Sequence, residues 1–250
     1  MKNNINFYEK GSVEILYGQS THCFPLHSHE SFCVGVITKG QALININNNE
    51  CLLKEAMVFI VPSNTGISIS ADSEYSYITI CFKNDLEKLV KTIKFNDYFL
   101  KLKSNKEILS LCDVFKDNND EKQFLYSILK LVNSNVEPGY QLEKKQSNEI
   151  VLSISEYIKN NAEDKFNLEK LAKTFYLSKY HLIRIFKSEM GVTPNQYYIQ
   201  AKLRIIKKEV DSSKSKTDLA IKNNLFDESH LYKLFKKQMG ISIHDYKKNS

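Results

Sequence analysis

Eleven residues are written nearly twice in the C-terminal part of this chain, HLIRIFKSEMG at 181–191 and HLYKLFKKQMG at 230–240. His, Leu, Phe, Lys, Met and Gly recur in order, and the swaps are conservative: Arg184 for Lys233, Ile185 for Leu234, Glu189 for Gln238. The likeness extends outward. LAKTFYLSKYHLIRIFKSEMGVTPNQY (171–197) matches LAIKNNLFDESHLYKLFKKQMGISIHDY (219–246), with one extra residue in the second copy's turn. Leu171 aligns with Leu219, Ala172 with Ala220, Phe186 with Phe235 and Tyr197 with Tyr246. Within the first copy Leu182, Ile185, Phe186 and Met190 recur at i, i+3, i+4 and i+8, which places them on one inward helix face; Leu231, Leu234, Phe235 and Met239 do the same in the second. A short helix, a tight turn and a second amphipathic helix describe a helix-turn-helix. A solenoid needs three or more units, and two are seen; an α-helical bundle with an accidental repeat is the bland alternative.

The outer faces carry the chemistry. The first unit offers Lys179, Tyr180, Ile183, Arg184 and Lys187, the second Glu228, Ser229, Tyr232, Lys233 and Lys236. Arg and Lys donate to guanine edges, hydroxyls read either base, and an apolar side chain touches a thymine methyl. Lys187 and Lys236 sit lower on their helices, where they suit phosphate. A helix expected from 194 to about 210 would span ~25 Å. With its flanking turns it approaches one DNA turn of ~34 Å, so one chain can offer two helices to successive major-groove segments. His181 and His230 hold equivalent positions beside a core Leu, which favours a partly buried structural role over metal ligation.

Charge divides the chain the same way. Residues 1–140 hold 14 Lys+Arg against 16 Asp+Glu, and residues 141–250 hold 21 against 13. A basic half suits a polyanion; a Lys-rich solvated surface is the alternative. No run of ~18 apolar residues is present, and MKNNINFYEKGS has no apolar signal region, so a cytoplasmic protein is expected. The five cysteines, Cys23, Cys33, Cys51, Cys81 and Cys112, are odd in number and include no CxxC. They are expected to be reduced and mostly small core hydrophobes.

The first eighty residues read as strands. FCVGVI (32–37), ALININ (42–47), MVFIV (57–61), ISIS (67–70) and YSYITICF (75–82) are short and apolar or alternating, separated by turn signals. That spacing predicts a β-barrel or sandwich. From residue 84 the period becomes helical. Asp85 is a candidate cap. Ile108, Leu109, Leu111, Cys112 and Phe115 share one helix face, and Phe124, Leu125, Ile128, Leu129 and Val132 another. NSNVEPGYQ (133–141) reads as a linker, and a new helix is expected near Ser147. Asn167, Ser178 and Thr193 are expected N-caps, Pro194 a first-turn residue, and Gly191 and Gly240 helix stops. Further short helices are expected from Thr217 or Asp218, from Asp227 and from Ser242. The domains expected are therefore 1–83, a barrel; 84–134, a helical extension; 135–147, a linker; and 148–250, a helical domain.

With these residues in view, 148–249 resembles the DNA-binding domain of the AraC/XylS family of bacterial transcription regulators. The first unit matches the family pattern nearly throughout. The second departs at Leu225-Phe226, where the family has Gly-Phe, and at Ser242-Ile243, where it has Thr-Pro. HSHE (27–30) followed by GVITKGQALININNNECLL resembles the family's cupin-like sensor over residues 13–82. The resemblance implies an α+β two-domain fold: a cupin-like β-barrel with following helices, then an all-α domain with two helix-turn-helix units joined by a long helix. It implies a sequence-specific regulator that is not an enzyme and has no cofactor. Its partners would be double-stranded DNA, a small-molecule effector, a second copy in a homodimer and RNA polymerase, with no membrane. Helices 105–115 and 121–133 are the dimer candidates, and His27, His29, Phe24 and Tyr75 the effector candidates. Two alternatives stay open. One is a metal-dependent cupin enzyme with a helical appendage: His27 and His29 would share a strand face, but Glu30 would point away and Gly66 stands where another His is usual, leaving the metal set incomplete. The other is a DNA-binding regulator with no effector.

Overall fold

The computed structural model describes residues 4–90, 97–134, 148–209 and 228–249. The chain divides into two compact units, one of residues 1–23 and 29–145, the other of 24–28 and 146–249. The linker at 135–147 and the short helices placed between 217 and 227, with Leu219, Ala220 and Leu225-Phe226, lie outside the described residues.

All five strands expected from periodicity form. They are β4 (Phe32–Lys39), β5 (Gln41–Ile46), β7 (Met57–Val61), β8 (Gly66–Ser70) and β9 (Tyr75–Phe82). Five more join them: β1 (Asn4–Lys10), β2 (Val13–Ser20), β3 (Phe24–Ser28), β6 (Asn49–Lys54) and β10 (Phe99–Lys101). The larger sheet runs β1-β2-β9-β4-β7-β10 and the smaller β3-β8-β5-β6. β1 and β2 turn tightly at Gly11, whose φ of +55° is left-handed and costs glycine nothing. The neighbouring Ser12 amide donates to Glu121 Oε2 at 3.2 Å.

Alternation gives the large sheet two faces. Val13, Ile15, Val34, Val36, Val58, Ile60, Ile78, Ile80 and Phe82 form one core with the helices that follow. These are α1 (Asn84–Val90), α2 (Lys106–Asn118) and α3 (Glu121–Ser134). α1 begins one residue before Asp85, the expected cap. Ile108, Cys112 and Phe115 of α2 and Phe124, Leu125, Ile128 and Val132 of α3 are buried in that core. The Phe115 and Phe124 rings stack at 4.6 Å. Leu109 is instead 38% exposed, and Leu111 and Leu129 are half-buried, because the buried stripe of each helix is narrower than the apolar pattern. The apolar faces of both helices therefore cover the sheet. The opposite, inner face of the sheet carries Glu14, Gly18, Cys33, Gly35, Phe59, Tyr77 and Cys81.

The second unit contains α4 (Glu149–Asn160), α5 (Leu168–Thr174), α6 (Lys179–Met190), α7 (Pro194–Glu209), α8 (Glu228–Met239) and α9 (Ile243–Asn249). Its caps are those the sequence pointed to. Asn167 accepts from the Lys170 amide and Ser178 from the His181 amide. Gly191, at φ 68°, closes α6 through its amide to Lys187, and Gly240 closes α8 on Lys236. Thr193 and Gln196 cap each other at the start of α7, the Thr193 amide donating to Gln196 Oε1 at 2.9 Å and the Gln196 amide to Thr193 Oγ1 at 3.3 Å. That reciprocal pair is a capping box. Ser242 Oγ receives the Asp245 amide at the start of α9.

Two cores result. Val151, Ile154, Ile158, Leu171, Ala172, Leu182, Phe186, Met190, Val192 and Tyr197 form the first. Leu203, Ile206, Leu231, Phe235 and Ile243 form the second. α7 supplies Tyr197 to one and Leu203 and Ile206 to the other.

Candidate DNA interface and ligand-binding barrel

The repeat read in the sequence is a repeat in packing. Phe186 meets Tyr197 edge-on at 5.4 Å and 74°, and Phe235 meets Tyr246 edge-on at 5.5 Å and 67°. A cation lies over each tyrosine, Arg204 at 5.7 Å from the Tyr197 ring and Lys207 at 5.2 Å from the Tyr246 ring. Each ring pair anchors its second helix by the same face. Leu182, Phe186 and Met190 are buried in α6, and Leu231 and Phe235 in α8. Ile185, Leu234 and Met239, expected to face inward, are half-buried and pack at the edge of the cores.

The opposite faces stand outward. Tyr180 is 79% exposed, and Arg184 and Lys187 are exposed one and two turns on, while Ile183 is half-buried. On α8, Ser229, Lys233 and Lys236 are exposed, and Glu228 and Tyr232 half-buried. Residues at i, i+3, i+4 and i+7 share a helix face, so Tyr180, Ile183, Arg184 and Lys187 lie together, as do Ser229, Tyr232, Lys233 and Lys236. Lys179 is set apart. Its ammonium is 2.7 Å from Glu169 Oε1 on α5, and that hydrogen bond holds the Glu169 carboxyl below its ordinary range. Arg184 Nη2 donates to His181 Nδ1 at 3.3 Å, so the first repeated histidine steadies the arginine from within the same helix.

One exposed residue escaped the sequence reading. Tyr176, in the turn between α5 and α6, is 98% exposed with φ 54°. Nothing in residue type marks it, because tyrosine is not expected in the left-handed region. Lys202 of α7 is 2% exposed and lies 4.7 Å from the Tyr198 ring. Burial lowers its pKa to about 8, against the partial opposition of Asp164 and Glu163.

The effector candidates fall into two groups. Phe24 and His27 are on β3, ring centroids 6.4 Å apart. His27 Nδ1 is 2.7 Å from the Pro25 carbonyl oxygen, and burial lowers the imidazole pKa. His29 lies past the end of β3, so the two-residue alternation that would align it with His27 does not reach it. Tyr75 is on β9, donates to the His22 carbonyl at 3.2 Å and stacks on Tyr77 at 5.4 Å. Among the described residues no three His, Cys, Asp or Glu side chains gather to hold a metal.

The inner face of the large sheet was not singled out by the sequence. Gly18 is the register partner of Tyr77, and Gly35 of Phe59. A Cβ on either glycine would fall inside the facing ring. Each ring therefore lies flat on backbone that only glycine leaves open. Nearby, Lys83 pairs with Glu9 at 2.9 Å and with Glu14. Burial pulls the Lys83 pKa down, but the two carboxylates outweigh it and hold it above the ordinary lysine value.

Comparison with known proteins follows this division. A family model described as an AraC-like ligand binding domain matches residues 10–106, and one described as a helix-turn-helix domain matches 171–249. The chain is 25% identical over 223 residues to the uncharacterized HTH-type transcriptional regulator YbfI of Bacillus subtilis, covering 83% of this chain and 81% of that one. Its fold resembles that of ToxT from Vibrio cholerae O395, with TM-score 0.61 and 13% identity over 95% of this chain and 97% of that one. It also resembles wild-type ToxT from strain SCE256 with an unsaturated fatty acid bound, with TM-score 0.58 and 12% identity over 98% and 96%.

Proposed function

The chain belongs to the AraC family of transcription regulators, and from that premise we propose how its parts divide the work. It is a DNA-binding regulator with a ligand-binding N-terminal domain. We read α6 and α8 as the two recognition helices. Tyr180, Ile183, Arg184 and Lys187 would meet one major-groove segment, and Ser229, Tyr232, Lys233 and Lys236 the next. Lys179 and Glu228 flank these faces at the helix starts. The observation that carries this reading is the duplicated ring pair, which presents two outward basic faces from matching scaffolds.

The barrel would receive a small-molecule effector near Phe24, His27, His29 and Tyr75. An apolar molecule, of the fatty-acid class held by the ToxT structure, is the first to try. A homodimer would form through the outward sides of α2 and α3, where Leu109, Val114 and Tyr126 are exposed. RNA polymerase would be the second protein partner, the location cytoplasmic, and enzymatic activity absent. No described helix is long and apolar enough to cross a membrane.

Genomic footprinting of the full chain gives the operator. On that fragment Arg184→Ala should weaken binding by about 1–3 kcal/mol and relax preference at one base position. Lys236→Ala should weaken all sequences alike and reduce the salt slope by about one. A full chain that ignores DNA even at low salt would sink the reading. A regulator without effector is favoured by one observation, the Tyr77 and Phe59 rings seated on Gly18 and Gly35. Thermal shifts against a metabolite panel separate the two, a ligand-specific rise supporting the effector.

A further inference from the structure

Five thiols are present, and the fold brings two of them together. Cys33 and Cys81 are direct register partners on the antiparallel strands β4 and β9. Both point to the inner face, 1% and 7% exposed. Cys33 Sγ is 2.8 Å from Cys81 Sγ, and 3.7 Å from the Ser31 carbonyl oxygen. Opposed residues of an antiparallel pair have Cα atoms about 4.5–5.5 Å apart, inside the range of about 4.4–6.8 Å that a disulfide needs. Two thiolates on one zinc ion, with Zn–S near 2.3 Å in a tetrahedron, would stand ~3.8 Å apart. The observed pair is closer than that, so the geometry suits a bond between the sulfurs better than a metal between them.

We propose that Cys33 and Cys81 form a reversible disulfide site, closed across β4 and β9 by hydrogen peroxide and reopened by a dithiol. Cys81 is the more exposed of the two, and its β2 register partner is Glu14, whose carboxylate holds Lys83. The Cys81 sulfur attacks the peroxide: an S–O bond forms, the O–O bond breaks, and the thiol proton leaves with the departing oxygen as water. The Cys33 sulfur then attacks Cys81. The S–S bond forms, the S–O bond breaks, and the second water carries off the Cys33 proton. Two thiols are oxidised by two electrons in total, and one peroxide is reduced to two waters. The close Cys33 sulfur, to which the Cys81 thiol can donate, together with burial, holds the Cys81 thiol well above its ordinary pKa. The thiolate is therefore scarce at neutral pH, and closure is slow and quickens as pH rises. The bond would tie residues 48 positions apart in the middle of the large sheet. Closing so long a loop restricts the unfolded chain more than the folded one.

Peptide mass mapping under non-reducing conditions tests this on the full chain carrying Cys23→Ser and Cys51→Ser, which removes the two more accessible thiols. After peroxide, the peptides bearing Cys33 and Cys81 should be recovered linked, with Tm raised. Dithiothreitol should reverse both changes, and closure should run faster at pH 9 than at pH 7. Recovery of both cysteines as free, alkylatable thiols after prolonged peroxide overturns the proposal. So does oxidation of Cys81 to a sulfinic acid with no linked peptide. Neither readout involves DNA, so failure here leaves the regulator reading untouched, and failure of DNA binding leaves this one untouched.

Discussion

Tyr176 holds a left-handed backbone at φ 54° with 98% of its surface exposed. A non-glycine residue there costs about 1–2 kcal/mol, and an exposed ring recovers little by packing. Tyr176→Gly relieves that strain but adds freedom to the unfolded chain, which offsets about 0.4–1 kcal/mol. The variant should gain about 0.5 kcal/mol in urea unfolding; a clear loss would mean the ring contributes to folding. Lys202 is a cost of the opposite kind, an ammonium under cover. Its pKa near 8 lies below the ordinary 10.5, so between those values the unfolded chain holds more protons. Stability therefore rises as pH climbs through that window, and below it both states are charged and the cost is constant. Lys202→Met should raise stability at pH 7 by about 2 kcal/mol, the charge cost less the lost contact with the Tyr198 ring. It should also flatten the rise between pH 8 and 10.5, as read from Tm across pH. Neither site was legible in the sequence. A positive φ and a buried amine are consequences of neighbours brought in by folding, not of residue type.

At the scale of elements, legibility followed periodicity. The helices of the second unit were readable because their caps and stripes repeat in two copies, and each copy checks the other. β4, β5, β7, β8 and β9 were readable as apolar or alternating runs. β1, NINFYEK, was not, because it is an edge strand with one buried residue, Ile5. β3 contains a proline and no fully apolar face, and β10 is three residues long. The basic faces of α6 and α8 were legible for the same reason as the helices. The inner face of the barrel was not, since Gly18, Gly35, Cys33 and Cys81 acquire meaning only from strand register. The outward faces of α6 and α8 also carry a specificity test. Ile183 and Arg184 correspond to Tyr232 and Lys233 on the same scaffold. Exchanging the first pair through Ile183→Tyr and Arg184→Lys should shift the sequence preference of the first unit toward that of the second in a binding-site selection. Unchanged preference would place specificity elsewhere, in phosphate geometry or DNA shape.

For the molecule as a whole, charge is divided as the folded units are. The unit of residues 1–23 and 29–145 holds 16 Lys+Arg against 17 Asp+Glu, and the unit of 24–28 and 146–249 holds 19 against 12. Attraction to DNA should thus fall steeply with salt. Holding that attraction to two groove segments at once would fall to α7, a helix of sixteen residues that supplies Tyr197 to one core and Leu203 and Ile206 to the other. This makes α7 a setting of phase as well as of distance. One residue inserted after Gln200, between its two packed stretches, would advance α8 by only ~1.5 Å but turn it by ~100° about the α7 axis. On the proposed reading, α6 and α8 would each keep their own ring pair and their own affinity for a half-site, while the two would face different sides of the duplex. Binding to the full operator should then drop to that of a single half-site, and a compensating change of half-site spacing, which rotates DNA by about 34° per base pair at 10.5 base pairs per turn, should restore part of it.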